Sequence, residues 1–209
     1  METKVNYYEV PLKRLNSENA QGLGVVFQSL DEVEIELCQW PTLGKRPIVS
    51  GKGYGSVIEE DFTVYWRGST QFSAGHQTAR GGATGKMLLE PQTQERAVLV
   101  HWLSAHLDAG EAFIPKNGQP SIFLLAPPKE DVRPEDFVAL YSDGSCGIAM
   151  HPGVWHTAPL SLSPEEVVYR RKQGSIYATI DCLLLKEQNI LLKIPLRQPE
   201  AVQATAKGF

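Results

Sequence analysis

The residues of this chain best suited to chemistry are its five histidines, four of which form two equally spaced pairs. His101 and His106 lie in the run AVLVHWLSAH, and His151 and His156 enclose the run HPGVWH. Imidazole transfers protons near neutral pH and is the commonest ligand of transition metals. The Pro-Gly step between His151 and His156 favours a tight turn, so we expect these two rings to lie close together. The sequence therefore predicts a histidine cluster for acid–base catalysis or for metal binding.

Three other residues are candidates for supporting roles in such a site. Asp181 lies on a predicted strand, where its carboxylate could orient an imidazole by accepting a hydrogen bond from the second ring nitrogen. Lys116 is a loop cation that could pair with a substrate carboxylate. Trp155, next to His156, is expected to line the interior of the domain beside the substrate pocket.

The histidine pairs flank short runs that are typical of β-strands. These runs are rich in β-branched or aromatic residues and are bounded by glycine, proline or polar clusters. With little helix between them, they favour an antiparallel sandwich or a closed barrel. The predicted strands are Val33 to Trp40, Phe62 to Trp66, Ala97 to Leu103, Ser121 to Ala126, Phe137 to Tyr141, Ser175 to Leu185 and Ile190 to Ile194.

One helix is predicted, from Pro164 to Lys172. Ser163 can cap it, proline suits the first helical position, Glu166 completes a capping box, and Gly174 ends it. A shorter helical turn is expected at Pro134. The glycine-rich stretches 41–55 and 75–86 are predicted to be loops, and the second lacks the residue spacing of a phosphate-binding loop.

Composition limits the class of protein and its partners. The length of 209 residues fits one domain over residues 1–209, with 197–209 as a peripheral tail. A net charge of −4 without a basic block argues against nucleic acid or an anionic membrane as a partner. Three widely spaced cysteines without a CxxC pair indicate neither a disulfide framework nor a zinc knuckle. The chain shows no secretion signal and no membrane-spanning run, so we expect a cytoplasmic protein.

Several segments of the second half of the chain occur in an order that is typical of one family. They are His101, His106, AFIP (112–115), Gly118, the strand Ile122 to Leu125, HPGVWH (151–156), Pro159 and Thr179-Ile180-Asp181. Through them, the chain from Leu99 to Asp181 resembles the ureidoglycolate lyases, formerly called ureidoglycolate hydrolases. The resemblance implies a mainly β, cupin-like double-stranded β-helix or barrel with a few short helices, assembled as a homodimer. It implies cleavage of ureidoglycolate into glyoxylate and urea, a step of allantoin degradation in purine catabolism.

Within this resemblance, Pro-Gly-x-x-His is also the second signature of cupin barrels, whose histidine commonly ligates a metal. The first signature, His-x-His followed by a glutamate, is absent after His101. The chain also has HWLSAH where the family can carry acidic and arginine residues, and we expect the resemblance to begin beyond the first ninety residues. These departures favour the barrel and its pocket over one particular substrate.

The reaction needs a base for the substrate hydroxyl and an acid for the leaving nitrogen. His156 and His151 are the candidates for proton transfer, with Asp181 as the orienting carboxylate. The candidates for binding a small carboxylate substrate are His101, His106, Lys116 and Trp155. A divalent metal, nickel or manganese, would be held by His101, His106 and His156. The alternative function is a metal-binding cupin of another class: an isomerase, a dioxygenase or a binding protein for a small acid.

Overall fold

The computed structural model describes residues 5–49, 56–75, 82–174 and 178–196. These residues form seventeen β-strands, the short helix α1 (Leu184–Gln188) and two single 3-10 turns. The strands are β1 Asn6–Glu9, β2 Leu12–Arg14, β3 Gly24–Phe27, β4 Val57–Arg67, β5 Thr70–Gly75, β6 Gly82–Leu89, β7 Arg96–Val100, β8 Trp102–His106, β9 Glu111–Pro115, β10 Ser121–Ala126, β11 Val138–Ser142, β12 Gly147–Met150, β13 Trp155–His156, β14 Leu160–Ser161, β15 Val167–Gly174, β16 Thr179–Leu183 and β17 Ile190–Pro195.

The strands form two sheets. The larger has ten strands in the order β1-β17-β7-β6-β5-β4-β15-β9-β12-β3. The smaller has the order β16-β8-β13-β10-β11-β2, with β14 also paired to β10. Strands β1 and β2 run parallel to their partners β17 and β11, whereas the other pairs are antiparallel. This architecture confirms the predicted mainly β class and is consistent with a cupin-like fold.

Strand β10 shows how the two sheets share one interior. All six of its residues are buried, and neighbouring side chains on a strand point to opposite faces. Ile122 and Leu124 join an apolar cluster with β7 and β17 of the larger sheet. Phe123 and Leu125 join a second cluster with β4, β9 and β15. At β10, residues of the larger sheet therefore pack against both faces of the smaller sheet.

The predicted helix from Pro164 to Lys172 is wrong, because residues 167–174 form strand β15. Side chains along β15 alternate between buried and half-buried, and the run begins with two β-branched valines that favour a strand. The strand pairs with β4 on one side and β9 on the other. Ser163 accepts a hydrogen bond from the Glu165 backbone N–H at 3.1 Å, which makes a turn before the strand. Long-range pairing thus outweighs the local capping signal.

The predicted strand from Val33 to Trp40 is also wrong. This segment follows the 3-10 turn Leu30–Glu32 and forms only an isolated bridge, between Leu37 and Ala109. Its backbone bonds run to the connection between β8 and β9: Cys38 N–H donates to Asp108 O at 2.7 Å, and Gly110 N–H donates to Glu36 O. The alternating pattern therefore marks an extended segment beside a turn.

The remaining predictions of strands, turns and loops are confirmed in part. Strands β10, β11 and β17 lie within one residue of their predicted positions, and the helical turn at Pro134 is confirmed. Residues 41–49 are without regular structure, as predicted, whereas 82–86 belong to strand β6 rather than to a loop. Residues 50–55, 76–81 and 197–209 lie outside the described part.

Within the described ranges, none of the helices has the length and apolar character of a transmembrane segment.

Candidate active site

A cavity of about 310 Å³ lies between the two sheets. The larger sheet contributes residues of β4, β5, β6, β9 and β15 to its wall, and the smaller sheet contributes β8 and β13. Phe62 and Phe113 form an apolar side, and their rings meet edge to face with centroids 5.2 Å apart. The ionisable residues of the wall are His106, Glu111, His156 and Arg171.

His106, Glu111 and His156 form one contact group at the base of this cavity. The Oε2 atom of Glu111 lies 2.9 Å from His156 Nε2 and 3.6 Å from His106 Nε2. The two imidazole rings meet edge to face with centroids 5.0 Å apart. Glu111 and His156 are buried, and His106 is partly buried. Three strands from both sheets therefore bring one carboxylate and two imidazoles together.

The hydrogen bonds of His156 determine its charge in this arrangement. Its Nδ1 lies 2.9 Å from the carbonyl oxygen of Val154, so Nδ1 carries a hydrogen and donates it. Its Nε2 faces the carboxylate of Glu111, which also accepts. With acceptors on both sides, the ring is an imidazolium. Burial alone would lower the pKa of His156, but the hydrogen bond and the charge of Glu111 outweigh burial and raise it.

Neighbouring groups at both carboxylate oxygens stabilise the negative charge of Glu111. Burial would raise its pKa, but the nearby His106 ring and the hydrogen bond from His156 outweigh burial and lower the pKa to about 2. Its second oxygen, Oε1, accepts from Arg171 Nη1 at 3.3 Å. In the orientation that matches donors to acceptors, the Gln173 amide also donates to Oε1, at 3.0 Å. The oxygen Oε2 is thereby left for the two imidazoles.

Arg171 links this group to a second buried carboxylate. Its Nη2 donates to Glu60, and its guanidinium carbon lies 4.8 Å from the centre of the Phe62 ring. Burial lowers the pKa of Arg171 to about 10, which leaves it charged at neutral pH. Its Nε atom is buried with no hydrogen-bond partner among the described residues. Arg171 therefore compensates two buried carboxylates at once.

The same three residues also have the chemistry of a metal site. One ligand atom each from His106, Glu111 and His156 can be chosen so that all lie within 4.8 Å of one another. The nitrogens facing the carboxylate are the two Nε2 atoms, while each Nδ1 is held by an oxygen: Val154 O for His156 and Thr179 Oγ1, at 3.1 Å, for His106. Metal-bound histidines are usually held at the second nitrogen in this way. The donor set thus fits a divalent transition metal.

Of the four histidines in the predicted pairs, the structure brings His106 and His156 together and leaves the other two apart. His101 is exposed between β7 and β8 and does not line the cavity. His151 lines a separate groove, where its Nδ1 lies 3.1 Å from Glu36 Oε2. The Pro-Gly turn does form, closed by a Val154 N–H to His151 O bond. It turns the two rings toward different partners, which corrects the expectation that they would lie together.

The remaining predicted site residues lie outside the cavity wall. Asp181 accepts a hydrogen bond from Ser104 Oγ at 2.7 Å, so it orients a hydroxyl rather than an imidazole. Lys116 is exposed and pairs with Asp61 at 3.0 Å. Trp155 is fully buried in an apolar cluster, with its Nε1 donating to Lys129 O at 2.7 Å.

Glu111 and Arg171 were not predicted as site residues. The first cupin signature is absent at His101, but Glu111 follows His106 by five residues, and this spacing is the signal in the sequence that marks it. Arg171 fell within the wrongly predicted helix, and its contact with Glu111 depends on the pairing of β15 with β9. Nothing local in the sequence marks that contact.

A family model for ureidoglycolate lyase matches residues 52–182, which contain every ionisable residue of the cavity wall. The chain belongs to the ureidoglycolate lyase family. It is 28% identical over 131 residues to the ureidoglycolate lyase of Azotobacter vinelandii, covering 54% of this chain and 72% of the relative. It is 26% identical over 147 residues to that of Stutzerimonas stutzeri, covering 66% and 86% of the two chains. The family match confirms the resemblance inferred from the histidine segments, and the cavity between the sheets is the candidate active site of this lyase.

Proposed function

We propose that this member of the ureidoglycolate lyase family cleaves ureidoglycolate into glyoxylate and urea. The observation that carries the proposal is the contact of His106, Glu111 and His156 inside a cavity of about 310 Å³. This arrangement supplies two imidazoles that can exchange protons, and the buried carboxylate stabilises the charged form of His156. The family match supports the choice of substrate.

The reaction needs only proton transfers around the bond that breaks. A base removes the hydroxyl proton, the oxygen forms a carbonyl with the same carbon, the carbon–nitrogen bond breaks, and an acid protonates the departing nitrogen. His156 is our candidate for the acid, because it is held as an imidazolium. His106 is our candidate for the base, because the Thr179 hydroxyl beside its Nδ1 can either donate or accept. No covalent intermediate and no water are required.

A divalent metal is the alternative to direct proton transfer by these two histidines, because a ring nitrogen that ligates a metal carries no proton. Nickel or manganese would be held by His106, Glu111 and His156, so Glu111 takes the place expected of His101. When bound, such an ion supplies a Lewis acid for substrate oxygen atoms. The residues around it keep their roles: Arg171 balances the carboxylate charge, and Val154 and Thr179 hold the imidazole rings.

We further propose that the protein is a cytoplasmic homodimer that acts on a small carboxylate in allantoin degradation, without nucleic acid or membrane partners. The absence of a basic block supports the choice of a small molecule over nucleic acid. All three cysteines are free, which is typical of a reducing compartment. The family resemblance supports the dimer and the pathway. Sedimentation that gives a monomer at micromolar concentration would remove the dimer from the proposal.

The test is conversion of ureidoglycolate by the purified protein, measured as glyoxylate and urea released. His156→Gln should keep the fold and lower turnover by about 10²-fold or more, which is the scale of general acid–base catalysis. His151→Gln is the matched control, because its ring lies in a different groove beside Glu36, and it should keep wild-type turnover.

Metal analysis of the same two variants separates the roles of His156. If it is a ligand, His156→Gln loses bound metal together with activity, and added metal partly restores both. A folded His156→Gln variant with wild-type turnover would contradict the proposal. A wild-type protein that is inactive with and without divalent metals, yet carries stoichiometric iron, would instead support the dioxygenase class of cupins.

A further inference from the structure

Ser104 lies in the middle of a row of three side chains that crosses three neighbouring strands. On β8 it stands directly opposite Asp181 of β16 on one side and opposite His156 of β13 on the other. Directly opposite residues in an antiparallel pair point to the same face of the sheet. Ser104 and His156 both line the cavity. The row therefore places the Ser104 hydroxyl between His156, the proposed acid, and the carboxylate of Asp181.

The Asp181 carboxylate determines the direction in which the Ser104 hydroxyl points its hydrogen. Ser104 Oγ donates its single hydrogen to Asp181 Oδ1 at 2.7 Å. Within the described part of the chain, this is the one hydrogen bond made by the Ser104 side chain, so its oxygen lone pairs remain for a ligand. Thr84, another cavity hydroxyl, differs because its Oγ1 both accepts from Gln71 Nε2 and donates to Gln71 O. Ser104 thus presents an acceptor to the cavity.

We propose that Ser104 binds the ureido group of the ligand by accepting a hydrogen bond from one of its N–H groups. Asp181 is a positioning residue that acts through Ser104 by holding the hydroxyl hydrogen away from the cavity. A ureido group suits this position because it carries N–H donors and no charge, whereas a ligand carboxylate would meet oxygen lone pairs backed by the Asp181 carboxylate. The choice of the ureido group as the ligand's donor rests on the proposed lyase function. The role of Ser104 Oγ as an acceptor does not, because it follows from the hydrogen bond to Asp181.

The test compares two small probes by titration calorimetry with the full-length protein. N-carbamoylglycine carries a ureido group and a carboxylate but lacks the hydroxyl that the cleavage needs, and oxalate has no hydrogen-bond donor at neutral pH. Ser104→Ala should weaken binding of N-carbamoylglycine by about 3- to 10-fold, the scale of one neutral hydrogen bond. Oxalate binding should stay within about twofold, because it has no donor to lose. The control is Ser145→Ala, which removes an exposed hydroxyl that donates to Asp143 at 2.5 Å outside the cavity.

Variants of Asp181 test whether it acts through Ser104. Asp181→Ala should weaken binding of N-carbamoylglycine as Ser104→Ala does, and the double variant should bind no more weakly than Ser104→Ala alone. Asp181→Asn keeps an oxygen acceptor for the hydroxyl and should restore affinity, which a general loss of structure would not allow. Additive losses in the double variant would overturn the positioning role.

The outcomes separate this inference from the lyase proposal. Equal affinity of Ser104→Ala and the wild-type protein for N-carbamoylglycine would overturn the inference, whatever the turnover. Absence of wild-type binding of this probe would overturn it as well. A protein that does not cleave ureidoglycolate but binds N-carbamoylglycine in a Ser104-dependent way would overturn the lyase proposal and support the inference.

Discussion

Replacing Glu111 by glutamine should destabilise the protein by an amount that depends on pH. The substitution keeps the size of the side chain but removes the charge that faces His156 at 2.9 Å and Arg171 at 3.3 Å. A buried ion pair that loses one partner leaves the other charge uncompensated, which is strongly destabilising. We therefore expect a large loss of folding free energy from a change that adds or removes no bulk.

The size of the effect follows from the pKa of Glu111, which folding lowers from 4.5 to about 2. At about 1.4 kcal/mol per pKa unit, this corresponds to about 3 kcal/mol of stabilisation. Because the folded pKa is the lower one, the stabilisation is fully present above 4.5 and is lost as the pH falls toward 2. His156, whose pKa is raised, contributes through the same pair below 6.5 and loses that contribution at higher pH. The full difference is therefore expected between pH 4.5 and 6.5.

The assay is urea unfolding followed by tryptophan fluorescence, with wild-type and Glu111→Gln proteins compared at several pH values. Glu36→Gln is the matched control, because Glu36 also pairs with a histidine at 3.1 Å, but its side chain is 62% exposed. The control should lose less than about 1 kcal/mol. If Glu111→Gln lost no more than the control between pH 4.5 and 6.5, or if its deficit stayed constant down to pH 2, the account of the buried cluster would be wrong.

Three further changes test other features of the structure. Tyr169→Phe removes a buried hydroxyl that lies 2.5 Å from Ser121 Oγ, and should lower the free energy of unfolding by about 1 kcal/mol in urea titrations. Gly144→Ala should cost about 2 kcal/mol or more, seen as a lower thermal midpoint, because φ is +97° and the added methyl would overlap a backbone carbonyl. His101→Gln should leave turnover of ureidoglycolate within about twofold, because this exposed ring lies outside the cavity wall, and a loss like that of His156→Gln would contradict the site.

The parts of the fold that could be predicted are those specified by short runs. Strand β10 is apolar along its whole length, and its burial on both faces needs no information from elsewhere in the chain. Strand β15 carried a conflicting signal, because a turn closed by Ser163 has the same residues as a helix cap. Only its two partner strands decide between the two structures, and the residues it pairs with are 54 or more positions away in β9 and 103 or more away in β4.

The sequence indicated that histidines would form the candidate site, but it could not show which residues come together there. HPGVWH pointed to a functional histidine, and His156 does line the cavity. The local turn could not show that His151 would lie in a different groove beside Glu36. Glu111 and Arg171 meet only because β9 and β15 are neighbours in the larger sheet, with Glu111 opposite Gln173 in register. A contact of this kind is set by strand order, which a single sequence does not display.

The two parallel pairings near the start of the chain affect how the protein can be made. Strand β1 has β17 as its partner, and β2 has β11, so neither can find its place while the chain between is still being synthesised. Bringing together segments this far apart costs loop-closure entropy before any contact repays it. On the ribosome, β1 emerges before β17 and docks only after the strands that carry His106, Glu111 and His156 have been translated, whereas β2 needs only β11, which precedes His156. The cavity of the candidate active site and the β1 edge of the larger sheet are thus separated in time as well as in sequence.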